Sequence, residues 1–374
     1  MALGGLASPA WAQGPPYTFT KIQVPGAMKT EASGINNAGQ VVGTYWSFDG
    51  TVHGYLFDGS THATIDFPGA PYTFVFGINA AGQIVGSAAF TSLGPWFALV
   101  ADHGTFTAYN FPNQQTDGRA INAAGQIVGV WDAGVPPDHG YLKSGDTYTG
   151  IDVPGAQQTY ALGINNAGKI SGTYVAANGL LHGFAQVGGQ LVNIDFFGAA
   201  QTFVGGINNL DAMVGWSQTG AGTHGFLLTG NRFRAFDVDF PGVSATNPRA
   251  LNDAGQVVGT YSTAQCPNAC AFVATPRTDV LPPCDQTLAL QYSGGTLRMG
   301  FSLRTSMPFT WSVSLFALNT HFPLWSVAIP TVSPAASFEV PFAFPQVGSV
   351  FGLSILKDAG GAVCSDFATV NTGP

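Results

Sequence analysis

The sequence predicts an all-β protein on three observations: a motif that returns at a near-constant period, turn residues throughout, and a tail that alternates apolar with polar positions. The motif is Gly34-Ile35-Asn36-Asn37-Ala38-Gly39-Gln40-Val41-Val42-Gly43, and it recurs five times. Its aliphatic anchors are Ile35, Ile78, Ile121, Ile164, Ile207 and Leu251, spaced 43, 43, 43, 43 and 44 residues apart. The 50 glycines and 24 prolines break strands into short pieces rather than filling helix interiors.

Each repeat reads as four strands. The first carries Ile-Asn, and Asn-Ala-Gly then turns the chain, because Asn and Gly tolerate a left-handed backbone. The second is of the Gln-Val-Val-Gly-Thr-Tyr type. The third runs from His53 to Phe57 and turns at Asp58-Gly59, and the fourth ends in Ile65-Asp66-Phe67-Pro68-Gly69. Four-stranded units of about 40–45 residues are the blades of a β-propeller, and a closed ring leaves few strand edges exposed. With four strands already between Tyr17 and Ser60, and the last unit ending near Thr275, residues 17–275 predict a six-bladed propeller. A solenoid is the alternative; it needs polar capping repeats, and none is visible.

The repeat resembles the HAF family of extracellular repeats found in secreted bacterial proteins. The likeness lies in His-Gly-Tyr or His-Gly-Phe at His53, His139, His182 and His224, with Gly usually replacing the family's middle Ala. The second repeat departs with Trp96-Phe97-Ala98 and the sixth with Cys270-Ala271-Phe272. The resemblance implies export and a repeated architecture; the family has no single activity to carry over.

After the linker from Arg277 to Pro283, residues such as Leu288-Ala289-Leu290-Gln291-Tyr292 and Trp311-Ser312-Val313-Ser314-Leu315 alternate. Six or seven such strands predict a small Ig-like β-sandwich over residues 276–374. Cys284 and Cys364 are expected to bridge its ends, and Cys266 and Cys270 to close a small loop. A zinc site of all four is the alternative, though the spacing is wrong for paired Cys-x-x-Cys knuckles. Residues 1–16 read as the remnant of a secretory signal: Leu3 to Ala7 is small and apolar, and Ala10-Trp11-Ala12 offers a cleavage site near Ala12, although a basic start is missing. An even number of cysteines agrees with an oxidising compartment, extracellular or periplasmic.

Composition narrows the partners. Only 9% of residues are charged and 45% are hydrophobic, which excludes a disordered chain. A net charge of −8 with 12 Lys+Arg argues against nucleic acid and against anionic membranes. No stretch approaches the ~18 apolar residues of a membrane helix. A monomer that binds a small molecule or a glycan is the expectation.

Residues fixed in every repeat are explained first by construction. The asparagines Asn36, Asn79, Asn122, Asn165, Asn208 and Asn252 suit the turn, or else a ring of amide oxygens that holds Ca2+ in the axial channel. The four histidines suit strand-locking hydrogen bonds, and Asp66, Asp152, Asp195 and Asp239 suit bonds to their own turns. Positions that vary inside the fixed frame are better site candidates. Four and two before each anchor stand Glu31/Ser33, Phe74/Phe76, Asp117/Arg119, Tyr160/Leu162, Phe203/Gly205 and Asn247/Arg249, beside an invariant Thr (Thr30, Thr73, Thr116, Thr159, Thr202, Thr246). They share one strand face. Glu31 and Asp117 are the candidate catalytic carboxylates; Phe74, Phe76, Arg119, Tyr160, Phe203, Asn247 and Arg249 are the candidate ligand contacts. In a six-fold ring Arg119 and Arg249 face each other.

No Gly-x-Ser-x-Gly, His-Glu-x-x-His, phosphate loop or EF-hand occurs in the sequence. Two functions remain. One is calcium-assisted hydrolysis of a lactone or ester at the propeller mouth, since six-bladed calcium-dependent lactonases and esterases resemble this layout and place the cation with Asn and acidic residues. The other is a non-catalytic extracellular module that recognises a glycan or a surface partner. A third use of Glu31 and Asp117, as a glycosidase pair, depends on their separation.

Overall fold

The computed structural model describes residues 17–277, apart from 113, 133–136, 197, 221 and 231, and the backbone of seven strands between 285 and 371. Among the described residues the chain is all β, with no helix and so none to cross a membrane. It divides into two compact units, one of residues 18–227 and 236–276, and a second that contains residues 277–374.

In the first unit the repeat makes a sheet in chain order. Lys29–Ile35 pairs with Val41–Trp46, that with Val52–Phe57, and that with His62–Ile65, all antiparallel. The corresponding first strands are Tyr72–Ile78, Gln115–Ile121, Gln158–Ile164, Gln201–Ile207 and Ala245–Leu251. The anchors Ile35 to Leu251 are all buried. Facing the repeated glycine of the second strand stands one large, fully buried side chain per repeat: Tyr55, Leu99, Tyr141, Phe184, Phe226 or Phe272. That glycine is obligatory. A Cβ on Gly43, Gly86, Gly129, Gly172, Gly215 or Gly259 would stand 1.9–2.2 Å from a carbonyl oxygen of the first strand.

One phase assignment is corrected. Tyr17–Ile22 does not belong to the first repeat; it pairs with Cys266–Pro276, so the last sheet reads Ala245–Leu251, Val257–Thr263, Cys266–Pro276, Tyr17–Ile22. The first sheet takes its fourth strand from His62–Ile65 instead. The two ends of the repeat region are thereby hydrogen-bonded within one sheet, which removes the free edge that an unclosed array would leave.

A second device runs around all six repeats. The Nδ2 of each motif asparagine donates to the backbone carbonyl of the next: Asn36 to Asn79, Asn79 to Asn122, Asn122 to Asn165, Asn165 to Asn208, Asn208 to Asn252, and Asn252 back to Asn36, at 3.0–3.2 Å. The belt closes on itself.

Cys266 and Cys270 form a disulfide within the third strand of the last sheet, which removes the four-cysteine zinc alternative. The expected Cys284–Cys364 bridge and the signal remnant lie outside the described residues. The second unit holds two antiparallel sheets. One orders Asp285–Ser293, Thr296–Arg304 and Ala335–Ala343; the other orders Trp325–Pro330, Thr310–Ala317, Ser349–Asp358 and Gly361–Asn371.

Candidate functional site

The inner strands have two ends of opposite character. At the turn end, five of the six asparagine Oδ1 atoms accept two backbone N–H groups of their own turn, as Asn36 does from Ala38 and Gln40 at 3.1 and 3.0 Å. Asn252 accepts from Gln256. The Nδ2 groups also reach Gln40, Gln83, Gln126 and Gln256, and Asn165 reaches Asp211. Gly39, Gly82, Gly125, Gly168 and Gly255 take the left-handed conformation here, and Asp211 does so in the fifth repeat.

This geometry bears on the calcium expectation. An amide oxygen has two lone pairs, and both are spent on N–H donors in five of the six. The carboxylates meant to join them are at the far end of the inner strand, five residues or ~16 Å away, whereas calcium needs oxygens at about 2.3–2.6 Å. The residues present do not fit the ion.

The other fixed residues are structural as well. The six threonine hydroxyls accept the N–H of Val24, Phe67, Phe111, Val153, Phe196 and Val238 at 2.9–3.2 Å, tying the loop before each inner strand to that strand. His53, His139 and His182 bond through Nδ1 to Asp66, Asp152 and Asp195 at 2.8–3.0 Å and stack on Tyr45, Trp131 and Tyr174. In the fifth repeat the partner of His224 is Asp237 rather than Asp239. The aspartates therefore serve the histidines more than their own turns.

At the opposite end the varying residues are presented by a repeated irregularity. In the first-to-second strand pairing the register slips at every repeat, between Ala32/Gly34, Val75/Gly77, Gly118/Ala120, Ala161/Gly163, Val204/Ile207 and Pro248/Ala250. The extra residues are Ser33, Phe76, Arg119, Leu162, Gly205 with Gly206, and Arg249. A β-bulge leaves its extra residue out of the ladder and re-aims its side chain. Here the bulged residues line the axial channel, and the residues two before them stay paired to the second strand: Glu31 opposite Thr44, Phe74 opposite Ser87, Asp117 opposite Val130, Tyr160 opposite Thr173.

Two adjoining spaces result. The larger is a cleft of about 430 Å³ over repeats one to four, and it brings together Glu31, Phe74, Phe76, Asp117, Arg119 and Tyr160. The smaller, about 130 Å³, is the throat of the channel, where Phe203 and Arg249 join Glu31, Phe76 and Arg119. Asn247 lines neither. Sequence reasoning missed Trp46, Trp96, Gln115, Trp131, Asp132 and Asp138, which complete the cleft. A signal for two of them existed. The third residue after the repeated glycine of the second strand is Trp46, Ala89, Asp132, Val175, Gln218 or Ser262, as variable as the inner-strand pair.

The cleft walls are aromatic. Phe74 meets Trp96 edge-on at 5.3 Å and Trp46 at 5.9 Å, and lies parallel to Phe76 at 6.2 Å. Trp131 stacks on Phe111 at 4.6 Å. Between these rings sit polar groups already oriented. Arg119 bonds Asp117 at 2.6 Å and lies 4.1 Å above Phe76. Lys29 pairs with Glu31 at 2.5 Å and covers Trp46. Tyr160 donates to Asp138 at 2.9 Å, and its pKa is pushed well up by burial and then by the Asp138 carboxylate. Gln115 donates to Asp132 and accepts the backbone N–H of Trp96. Glu31 and Asp117 are each held by a cation two residues away on their own strand, so neither is presented as a free acid or base.

No family model matches the chain, and no curated protein does. Among solved structures it is similar to a gluconolactonase candidate (12% identity, 71% of this chain and 93% of that one, TM-score 0.42). It is also similar to the lectin of Aleuria aurantia in complex with α-methyl-L-fucoside (12% identity, 70% and 99%, TM-score 0.42). TolB of Acinetobacter baumannii is a third (14% identity, 71% and 78%, TM-score 0.40). At these identities and scores the likenesses say nothing of site or activity.

Proposed function

We propose that this chain is an exported glycan-binding protein, in which a six-bladed β-propeller carries the site and a C-terminal β-sandwich follows it. Six members in the closed asparagine belt support the blade number, and the two antiparallel sheets of the second unit support the sandwich. The Cys266–Cys270 disulfide supports an oxidising compartment, in keeping with the HAF resemblance.

The observation that carries the reading is the cleft itself: Trp46, Phe74, Trp96, Trp131 and Tyr160 around Glu31, Asp117, Asp132, Asp138 and Arg119, in a chain only 9% charged. A sugar ring has C–H faces, which aromatic rings cover, and a rim of hydroxyls, which donate to carboxylates and accept from Arg or Gln. Hydrolysis of a lactone or ester with calcium has less support, because the asparagine oxygens are committed to their turns and the two nearest carboxylates to their cations.

The test is affinity electrophoresis and calorimetry of the purified protein against a panel of neutral and acidic polysaccharides, beside hydrolysis assays on lactone, aryl-ester and aryl-glycoside substrates with calcium or chelator. The reading expects saturable binding to at least one glycan, weakened in Trp96→Ala, and no turnover. Turnover of any of these substrates, or a panel with no binder, would overturn it.

A further inference from the structure

The charge balance of the throat goes further than the aromatic cleft. Three cations stand at this end of the channel. Lys29 is neutralised by Glu31 and Arg119 by Asp117. Arg249 lies 5.2 Å over the ring of Phe203 and has no carboxylate within ion-pair distance among the described residues. Burial lowers its pKa below the usual arginine value against the pull of Glu31, and the charge of Arg119 adds to the lowering. Arg119 itself has a buried Nε that no protein group accepts. Arg119 and Arg249, on bulged residues of opposite repeats, thus both line one space of about 130 Å³.

The backbone at Arg249 is held closely from one side: Gly205, on the neighbouring repeat, is obliged to be glycine because a Cβ would stand 2.6 Å from the carbonyl oxygen of Arg249. The chain as a whole is acidic, with 20 Asp+Glu against 12 Lys+Arg, so an arginine left without a carboxylate is out of keeping with its surface. A half-buried guanidinium with no ion-pair partner favours a planar two-oxygen acceptor, which it can bind with two parallel N–H donors.

We propose that the ligand of this site is an acidic glycan, whose sugar carboxylate docks on Arg249, beside the positive charge of Arg119, while neighbouring sugar rings lie in the aromatic cleft. This rests on the glycan-binding reading above and names its substrate class. Asp132 and Asp138, which line the cleft but not the throat, are then acceptors for sugar hydroxyls rather than a repulsive barrier. One ligand with a carboxylate at one end and hydroxyls at the other uses both.

Alginate and polygalacturonate oligosaccharides, each compared with the same oligosaccharide after reduction of its carboxyls to alcohols, separate this inference from the broader one. The acidic form should bind about tenfold tighter or more, the worth of one charge-assisted contact. That preference should vanish in Arg249→Gln, survive in part in Arg249→Lys, and shrink as NaCl rises from about 50 to 500 mM. Melting curves establish that both variants fold. Equal affinity for acidic and reduced forms, or a preference retained by folded Arg249→Gln, would overturn the inference while the glycan reading stands. Failure of every acidic and neutral sugar overturns both. Acetate or sulfate alone binding as tightly as the oligosaccharides would overturn the sugar and leave a site for small anions.

Discussion

The two ends of the six inner strands are built from the same repeat, yet they behave as different materials. At the turn end every asparagine does the same thing, and its polar atoms are committed to the turn and to the next repeat. At the cleft end, five residues up the same strand, the side chains vary from repeat to repeat, and Arg249 has no ion-pair partner among the described residues. A polar group that is buried and satisfied holds the fold, whereas one left unsatisfied in a cavity is reserved for something else. The contrast is sharper than repetition alone, because it can be broken from either side.

The largest effect is expected at the turn end. Asn122→Ala deletes two acceptor and two donor contacts in a buried position, to Ala124, Gln126 and Asn165. Loss of stability should be about 3 kcal/mol, since the groups it leaves stay buried without partners. Urea unfolding measures it, and glycan affinity of the surviving folded protein should be unchanged. A fall in affinity with little loss of stability would reverse the roles assigned to the two ends.

Next comes Trp96→Ala at the cleft end, where the signs exchange. The indole is half-buried against Phe74 and Tyr72, so removing it should cost less than the Asn122 change in stability. Glycan binding should weaken by roughly 10- to 100-fold, the ~1–3 kcal/mol typical of a well-placed aromatic anchor. Calorimetry on the variant and the parent decides it.

How far the sequence could be read follows from the same contrast. The period, the turn residues and the variable inner-strand pair are local patterns, and six of the nine candidate residues drawn from that pair do meet in the cleft. The phase was not legible. Tyr17–Ile22 alternates like any fourth strand, and its pairing with Cys266–Pro276 joins segments some 250 residues apart with no local trace. The bulge was hidden too, because Ala32-Ser33-Gly34 reads as regular strand until the partner register is known. The tryptophans at 46, 96 and 131 were missed because only the first strand was scanned for variation. The choice between the two roles of the asparagines was not legible, because residue type says what an oxygen can bind, not whether its lone pairs are already taken.

A smaller effect tests the link between frame and site. The Thr116 hydroxyl accepts the N–H of Phe111 at 2.9 Å one residue before Asp117. Thr116→Val keeps the shape and strands that N–H, which should cost about 1–2 kcal/mol. If the frame merely positions the cleft, affinity should fall no more than about threefold, far less than for Trp96→Ala.

The smallest effect guards against reading every departure from the repeat as function. Asp253 is a carboxylate at the turn end, where other repeats carry Asn or Ala. It is fully engaged: its oxygens accept from Asn209 N–H, Asn209 Nδ2 and Asn37 Nδ2 at 2.6–2.8 Å, and its own N–H donates to Asn37. Burial works to raise its pKa, but the bonds from Asn209 and Asn37 outweigh that and hold it below the usual carboxylate value. A depressed folded-state pKa contributes stability that is full above the unfolded value of about 4 and is lost as pH falls through the folded one. Asp253→Asn should therefore lower stability at pH 7 by less than about 1 kcal/mol, given the solvent around the group, and the gap should close as pH drops below about 4. A gap that stayed constant with pH would show that the charge contributes nothing. Glycan binding should not move at all, because here the variable residue is one the protein has already used.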